Sequence, residues 1–367
     1  GVDCHCGWQN PMKPDGAKAR LEAILLQVWY GAKKPAPLFA FGLSMLESLY
    51  KALRLLTRQH EKSIRSRGRT QPPVLVVGNL IAGGAGKTPI VMAVCNTMRA
   101  AGKRVGIVSR GYGRSAGEAF LINPQNPLPK AADVGDEPLF LAMQTHCPIA
   151  VGAHRNAALE LLLKAFPDID LVVSDDGLQH HRLKRQLEWI VFDSRGQGNG
   201  RLLPAGPLRE PLSRLNRVDA VLASNTSLKQ LAQSLGMEAT GNWHEVKVEL
   251  QGFRHLKTGE YLSADQARDA WKYQSIAAFT GIGNPDKLFS ALEKHGLALD
   301  QRMGLPDHFD YPLDFCTQFN QTILITSGKD AVKLDATNPK LWVAEICIDL
   351  PPALTKALED CIGSTID

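Results

Sequence analysis

The stretch Val74-Leu-Val-Val-Gly78, continued by Asn79-Leu-Ile-Ala-Gly-Gly-Ala-Gly-Lys-Thr-Pro89, leaves few folds open to this chain. A β-branched apolar run gives way to glycines, then Lys87 and Thr88, then helix-compatible residues. That order is strand, phosphate-cradling loop, helix. Glycines let successive backbone N–H groups curl round an anion, and the helix N-terminus adds its positive dipole end. The nucleotide-binding set is then Gly83, Gly84, Ala85, Gly86, Lys87, Thr88 and Pro89. Lys87 reaches the β- and γ-phosphates, and the Thr88 hydroxyl sits on Mg²⁺. The match to G-x-x-x-x-G-K-[ST] is inexact, because Ile81 holds the first glycine position and the Gly83-Gly84 pair comes late. A glycine-rich turn before a helix is the plainer reading. Strand, Gly86-Lys87-Thr88 and helix together favour a nucleoside triphosphate site, with ATP and Mg²⁺ as its ligands.

Short apolar strands alternate with helical stretches after this loop. Lys103–Ser109 ends in Arg110-Gly-Tyr-Gly113, Pro148–Gly152 precedes a helical pattern from Asn156 to Phe166, and Asp170–Ser174 runs into Asp175-Asp176-Gly177. Trp189–Phe192 leads to Asp193, and Asp219–Ala223 closes the series. The expectation is an α/β fold: a P-loop NTPase-type, three-layer parallel sheet. Ligands in such folds lie beyond the carboxyl ends of the strands, where Arg110, Asp175, Asp193 and the P-loop all fall. From about residue 240 the texture changes. Trp243–Leu250 and Gly252–Leu262 alternate like a two-stranded ribbon around Thr258-Gly259, and Ile276–Phe279, Thr322–Ile325 and Leu341–Ala344 read as strands of a second, smaller α/β unit. The expected division is 1–60, leader and amphipathic helices; 61–240, P-loop core; 241–367, ribbon and smaller unit.

The segment Pro37–Leu56 is helical in period, with Leu38, Phe41, Met45, Leu49, Leu53 and Leu56 at three- and four-residue steps and Glu47, Lys51 and Arg54 on another face. It is too interrupted to span a bilayer. Leu21–Tyr30 is a second, shorter apolar helix. A basic run follows, with Arg58, Lys62, Arg65, Arg67 and Arg69 offset locally by Glu61 alone. Two core-packing helices would explain the apolar residues. An interfacial helix with a basic exit, lying on anionic lipid, explains the basic run and the aromatics as well. A formal charge of +5 is too small to imply nucleic acid. Seven scattered cysteines make no disulfide framework, and Cys4-His5-Cys6 lacks a second cluster to complete a metal site, so a leader or remnant in a reducing compartment is expected. The first residues lack the order of a secretory signal.

Asp175-Asp176, at the end of an apolar strand, has the form of a Walker B pair able to hold Mg²⁺; two turn acids are the alternative. Gln179, His180 and His181 follow. Gly135-Asp136-Glu137-Pro138 sets two carboxylates in a tight turn before an apolar helix. Asp136 there is either a helix cap or a general base for a substrate hydroxyl. The case for His308, in Pro306-Asp-His-Phe309, rests on its facing the P-loop across a cleft.

Taken in order, these segments closely resemble the tetraacyldisaccharide 4'-kinase (lipid A 4'-kinase) family from about Pro37 to Asp349. The resemblance is carried by Val77–Leu80 with Gly83–Pro89, Ser109–Gly113, Gly135–Pro138, Ser174–His180, Gly198–Gly200, Leu203–Glu210, Gly281–Pro285, Pro306–His308 and Lys329–Lys333. One departure is Thr326-Ser-Gly-Lys-Asp330, where the family has T-E-K-D. The resemblance implies a kinase that moves the ATP γ-phosphoryl group to the 4'-hydroxyl of tetraacyldisaccharide 1-phosphate, forming lipid IVA. The implied location is the cytoplasmic face of the bacterial inner membrane, with a membrane-facing N-terminal helix. It also implies Asp136 as catalytic base with His308 as its partner, Lys87 on the phosphates, and Thr88, Asp175, Asp176 and Glu210 around Mg²⁺. Glu137, Arg110, Tyr112 and His180 are implied as substrate or supporting residues. Partners are then the disaccharide 1-phosphate and anionic membrane lipids, without nucleic acid, and a monomer would suffice. Two rival functions share the loop: an ATP-dependent ligase, and a nucleotide switch recruited to a membrane, which would dispense with Asp136.

Overall fold

The computed structural model describes residues 17–31, 35–60, 72–111, 114, 117–307 and 309–364. The leader up to residue 16, the basic positions 61–71, Tyr112 and His308 lie outside the described residues.

Two helices come first, α1 (Ala17–Tyr30) and α2 (Pro37–His60). A first sheet then forms from β1 (Val74–Gly78), β2 (Val105–Ser109), β3 (Phe120–Ile122), β4 (Ile149–Val151), β5 (Leu171–Asp175), β6 (Leu187–Phe192), β7 (Ala220–Ser224) and β8 (Trp243–Val246). Its order is β3-β4-β2-β5-β1-β6-β7-β8, parallel except where β3 meets β4. The helices woven through it are α3 (Lys87–Ala100), α4 (Ala131–Val134), α5 (Asp136–Thr145), α6 (Arg155–Ala165) and α7 (Leu228–Leu235). Both faces are covered, so the central strands are continuous apolar runs with no polar alternation. Along β1, Leu75 and Val77 pack with Ile90, Val94 and Leu141 on one face, while Val74 and Val76 pack with Leu159, Leu162 and Leu178 on the other. This is the three-layer, P-loop-type α/β fold.

The second sheet holds β9 (Glu249–His255), β10 (Tyr261–Ser263), β11 (Ile276–Thr280), β12 (Gln301–Gly304), β13 (Ile323–Ser327) and β14 (Leu341–Cys347), in the order β10-β9-β14-β13-β11-β12. Its helices are α8 (Ala264–Ala270), α9 (Asp286–Lys294) and α10 (Gly328–Ala331); a last helix, α11, spans Pro352–Gly363. The ribbon expected around Thr258-Gly259 is formed by β9 and β10, paired antiparallel. Trp243–Val246 does not belong to it. It pairs parallel with β7, because Trp243 and Val246 are buried against the first sheet's two cores. Leu354, Leu358 and Ile362 of α11 likewise join the core beneath β1 and α3. Strands β11, β13 and β14 run parallel. The loops after β11 and β13 come against the P-loop and α5 of the first unit, so the carboxyl ends of both sheets share one cleft.

Helix α2 is amphipathic in an inverted sense. Its inward face buries Leu43 beside polar anchors: Glu47, only 4% exposed, accepts from Arg201 Nη2 at 2.6 Å and from the Leu202 amide at 3.1 Å. Tyr50 donates to the Arg209 carbonyl at 2.9 Å, and Arg54 pairs with Glu210 at 3.0 Å. The outward face carries Leu38 (85% exposed), Phe41, Met45, Leu49, Leu53 and Leu56. Two core-packing helices, the alternative weighed from sequence, would bury that stripe. No helix among the described residues is long and apolar enough to cross a membrane.

Candidate active site

The P-loop follows β1, between β5 and β6. Gly86 caps α3 with φ 86°, a left-handed conformation that suits glycine, and no side chain occupies the cap. No acidic residue sits in the first turn either, so nothing there offsets the positive end of the helix dipole. Ile81 takes the first glycine position for a packing reason. It is fully buried and bridges to Leu208, while the Ala82 amide donates to the Pro207 carbonyl at 2.7 Å. The loop is thus buttressed by the Leu203–Glu210 segment.

Asn79, which sequence reasoning quoted but gave no role, organises the cradle. Its amide donates to the carbonyls of Ile81 (2.8 Å) and Gly83 (3.0 Å), and its Oδ1 accepts from Lys87 Nζ at 3.1 Å. The same ammonium lies 3.5 Å from Asp176 Oδ1. Arg209 Nη1 approaches the other Asp176 oxygen at 3.3 Å. Burial would raise the Asp176 pKa, but Lys87 and Arg209 outweigh it and hold the carboxyl below its usual range.

Asp175 is in the opposite state. Register pairs it with Val77 at the end of β1. It is 3% exposed, and its Oδ1 has no hydrogen-bond partner. Burial, then the charge of Glu137, pushes its pKa up to about 7. A raised carboxyl pKa means that ionisation opposes folding. The cost is absent below the unfolded carboxyl range, grows as pH climbs from about 4 to about 7, and stays above it. Asp175→Asn is therefore expected to stabilise the ligand-free protein at pH 8 by on the order of 2–4 kcal/mol, with the gap closing towards pH 4. Thermal melts of both proteins across that range check it; a pH-independent difference would refute the assignment.

Among the other expected residues, His180 lies near this pair and stays neutral, since burial and then the charges of Arg155, Arg110 and Arg185 lower its pKa to about 4. Arg110 is exposed at the end of β2. Glu210 is buried with Oε2 engaged by Arg54 at 3.0 Å and Arg214 at 3.7 Å, and with Oε1 unpartnered. Among the described residues no three His, Cys, Asp or Glu side chains gather as a ready metal cluster. That does not exclude Mg²⁺, which takes one or two carboxylates and completes its shell with phosphate oxygens and water.

Asp136 opens α5 but does not cap it. Gly135 holds the cap position, with no side-chain cap bond, so the capping role weighed from sequence is not what occupies this carboxylate. It is 7% exposed and lies 3.3 Å from Lys333 Nζ. Glu137 accepts from Lys329 at 3.0 Å, and Lys329 also reaches Asp307 at 2.9 Å. Burial would lower the Lys329 pKa, but its two carboxylates raise it instead. Both lysines come from the second unit. On the other flank Lys287 of α9 reaches Asp193, which holds Arg195, and Arg195 donates to the Gly84 carbonyl at 2.5 Å.

A family model for tetraacyldisaccharide-1-P 4'-kinase matches residues 39–363. The chain belongs to this family. A tetraacyldisaccharide 4'-kinase of Herminiimonas arsenicoxydans is 37% identical over 348 residues, 93% of this chain and 96% of that protein. One from Dechloromonas aromatica is 39% identical over 90% of this chain and 94% of its own length. The crystal structure of LpxK from Aquifex aeolicus in complex with ATP superposes with a TM-score of 0.71 at 26% identity, covering 88% of this chain and 99% of that one.

The Thr326–Asp330 segment has a local structural role. In this kinase Ser327 caps α10, its Oγ accepting from the Asp330 amide, and a Cβ at Gly328 would overlap the Phe140 ring of α5. The absence of a side chain at Gly328 lets α10 approach α5 and delivers Lys329 to Glu137.

Proposed function

We propose that this chain transfers the γ-phosphoryl group of ATP to the 4'-hydroxyl of tetraacyldisaccharide 1-phosphate, working as a peripheral protein on the cytoplasmic face of the inner membrane. The observation that carries the reading is the convergence of the P-loop lysine, the Asp175-Asp176 pair and Asp136 on one cleft between two sheets, in a member of this kinase family. Lys87, braced by Asn79, takes the β- and γ-phosphates, and the loop amides hold the chain of phosphates in line. Asp175, whose Oδ1 has no hydrogen-bond partner, would hold a Mg²⁺ ion together with Asp176 and the Thr88 hydroxyl. Such an ion would supply charge neutralisation to the transferring phosphate. Asp136 accepts the proton of the sugar hydroxyl as that oxygen attacks the γ-phosphorus and the bond to the β-phosphate breaks, releasing ADP, with His308 as its partner. Glu210, held by Arg54, seats α2 beside the site. Incubation with γ-labelled ATP, Mg²⁺ and the disaccharide 1-phosphate is expected to move label into lipid. Nucleotide hydrolysis without labelled lipid would favour a switch instead.

The exposed stripe of α2 supports the membrane half of this reading. An apolar face turned away from the body, over a face latched to it by polar anchors, is the arrangement of an interfacial helix. It brings an acylated substrate to the cleft along the bilayer surface. Phe41→Asp combined with Leu49→Asp is expected to abolish flotation of the full-length protein with anionic liposomes while leaving ATP affinity intact. Equal flotation by variant and wild type would rule out this face.

A further inference from the structure

Two lysines one turn apart on the second unit meet two successive carboxylates on the first. Lys329 pairs with Glu137 at 3.0 Å and Lys333 with Asp136 at 3.3 Å. The Lys333 ammonium is fixed from its own side as well. It donates to the Phe309 carbonyl at 2.8 Å and sits 5.3 Å from the centre of the Tyr311 ring. Its side chain is 12% exposed and that of Asp136 9%.

We infer that Lys333 is a positioning residue for phosphoryl transfer: anchored to Phe309 and Tyr311, it holds the Asp136 carboxylate in the orientation that receives the sugar proton. The inference rests on Asp136 being the base. Three observations favour positioning over simple stability. A buried ion pair adds little net stability, because desolvation offsets most of the attraction. The lysine carries two further anchors, so its ammonium is a fixed point from which to hold a carboxylate. It also comes from the opposite unit, so this contact with the base depends on the two units being closed on each other. Proton transfer requires heavy atoms within about 3 Å, and a misplacement of about 1 Å costs on the order of 100-fold.

The test uses the full-length protein, γ-labelled ATP and the disaccharide 1-phosphate. Lys333→Met keeps the length and removes the charge, whereas Lys333→Arg keeps the charge. The expected result is a fall in kcat of about 10- to 100-fold for Lys333→Met, with both KM values little changed and most of the loss restored in Lys333→Arg. Combined with Asp136→Asn, Lys333→Met should add no further loss. Wild-type kcat in Lys333→Met overturns the inference. So does an equal loss in Lys333→Arg, a loss confined to KM, or additivity in the double variant, each of which marks a structural role. If Lys333→Met does not fold, Lys333→Gln takes its place under the same criteria. Failure of the underlying assignment reads out separately, as wild-type turnover in Asp136→Asn alone.

Discussion

Asp136→Ala is expected to lower turnover by about 10²- to 10⁴-fold with little change in ATP affinity. The asymmetry follows from where the carboxylate sits. Asp136 is on α5 and its ion-pair partner is Lys333 of the second unit, whereas the phosphate cradle is built from β1, Asn79 and the start of α3. Removing the carboxylate leaves that cradle whole. A sugar hydroxyl attacks phosphorus poorly while it keeps its proton, so the loss falls on the chemical step. Turnover with the disaccharide 1-phosphate, set beside nucleotide affinity by calorimetry, separates the two quantities. Wild-type turnover in the variant would remove the base assignment, and a parallel loss of affinity would mean that Asp136 organises the loop.

The same geometry explains how much of the site was legible in the sequence. The P-loop, the strand ends at Asp175 and Asp193, and the parallel order of the first sheet were readable because each is a local pattern: an apolar run, then glycine or a carboxylate. The helix α2 was readable by period and its outward-facing apolar stripe was expected from the basic run and aromatics, but the contacts that hold its other face were not. Its orientation is fixed by Arg201 and the Leu202 amide gripping Glu47, contacts more than 150 residues away. Strand β8 was misassigned to the ribbon for a related reason, since alternation in Trp243–Val246 does not say which sheet edge will pair with it. Asn79, Lys329 and Lys333 fall in segments that carry the family resemblance but were given no role there, and Arg195 falls in none. Their roles depend on long-range placement; only Asn79, eight residues before Lys87, lay close enough to suspect.

Lys87→Ala is expected to impair both nucleotide binding and turnover, with kcat down by about 10²- to 10³-fold and ATP affinity weakened alongside it. Lys87 differs from Asp136 because its ammonium meets charge present in the ground state as well as charge that develops in transfer. The ammonium lies 3.1 Å from Asn79 Oδ1 and 3.5 Å from Asp176 Oδ1. Deleting the ammonium leaves Asp176 with Arg209 alone and strips Asn79 of the group that orients its Oδ1. Asn79→Ala is a graded version of the same lesion. It keeps the ammonium but frees the Ile81 and Gly83 carbonyls, so it should weaken ATP binding by less than Lys87→Ala does. Calorimetric titration of wild type and both variants with a non-hydrolysable ATP analogue and Mg²⁺ gives the ranking directly. An Asn79→Ala loss as large as that of Lys87→Ala would shift the cradle's main support from the ammonium to the loop's own hydrogen bonds.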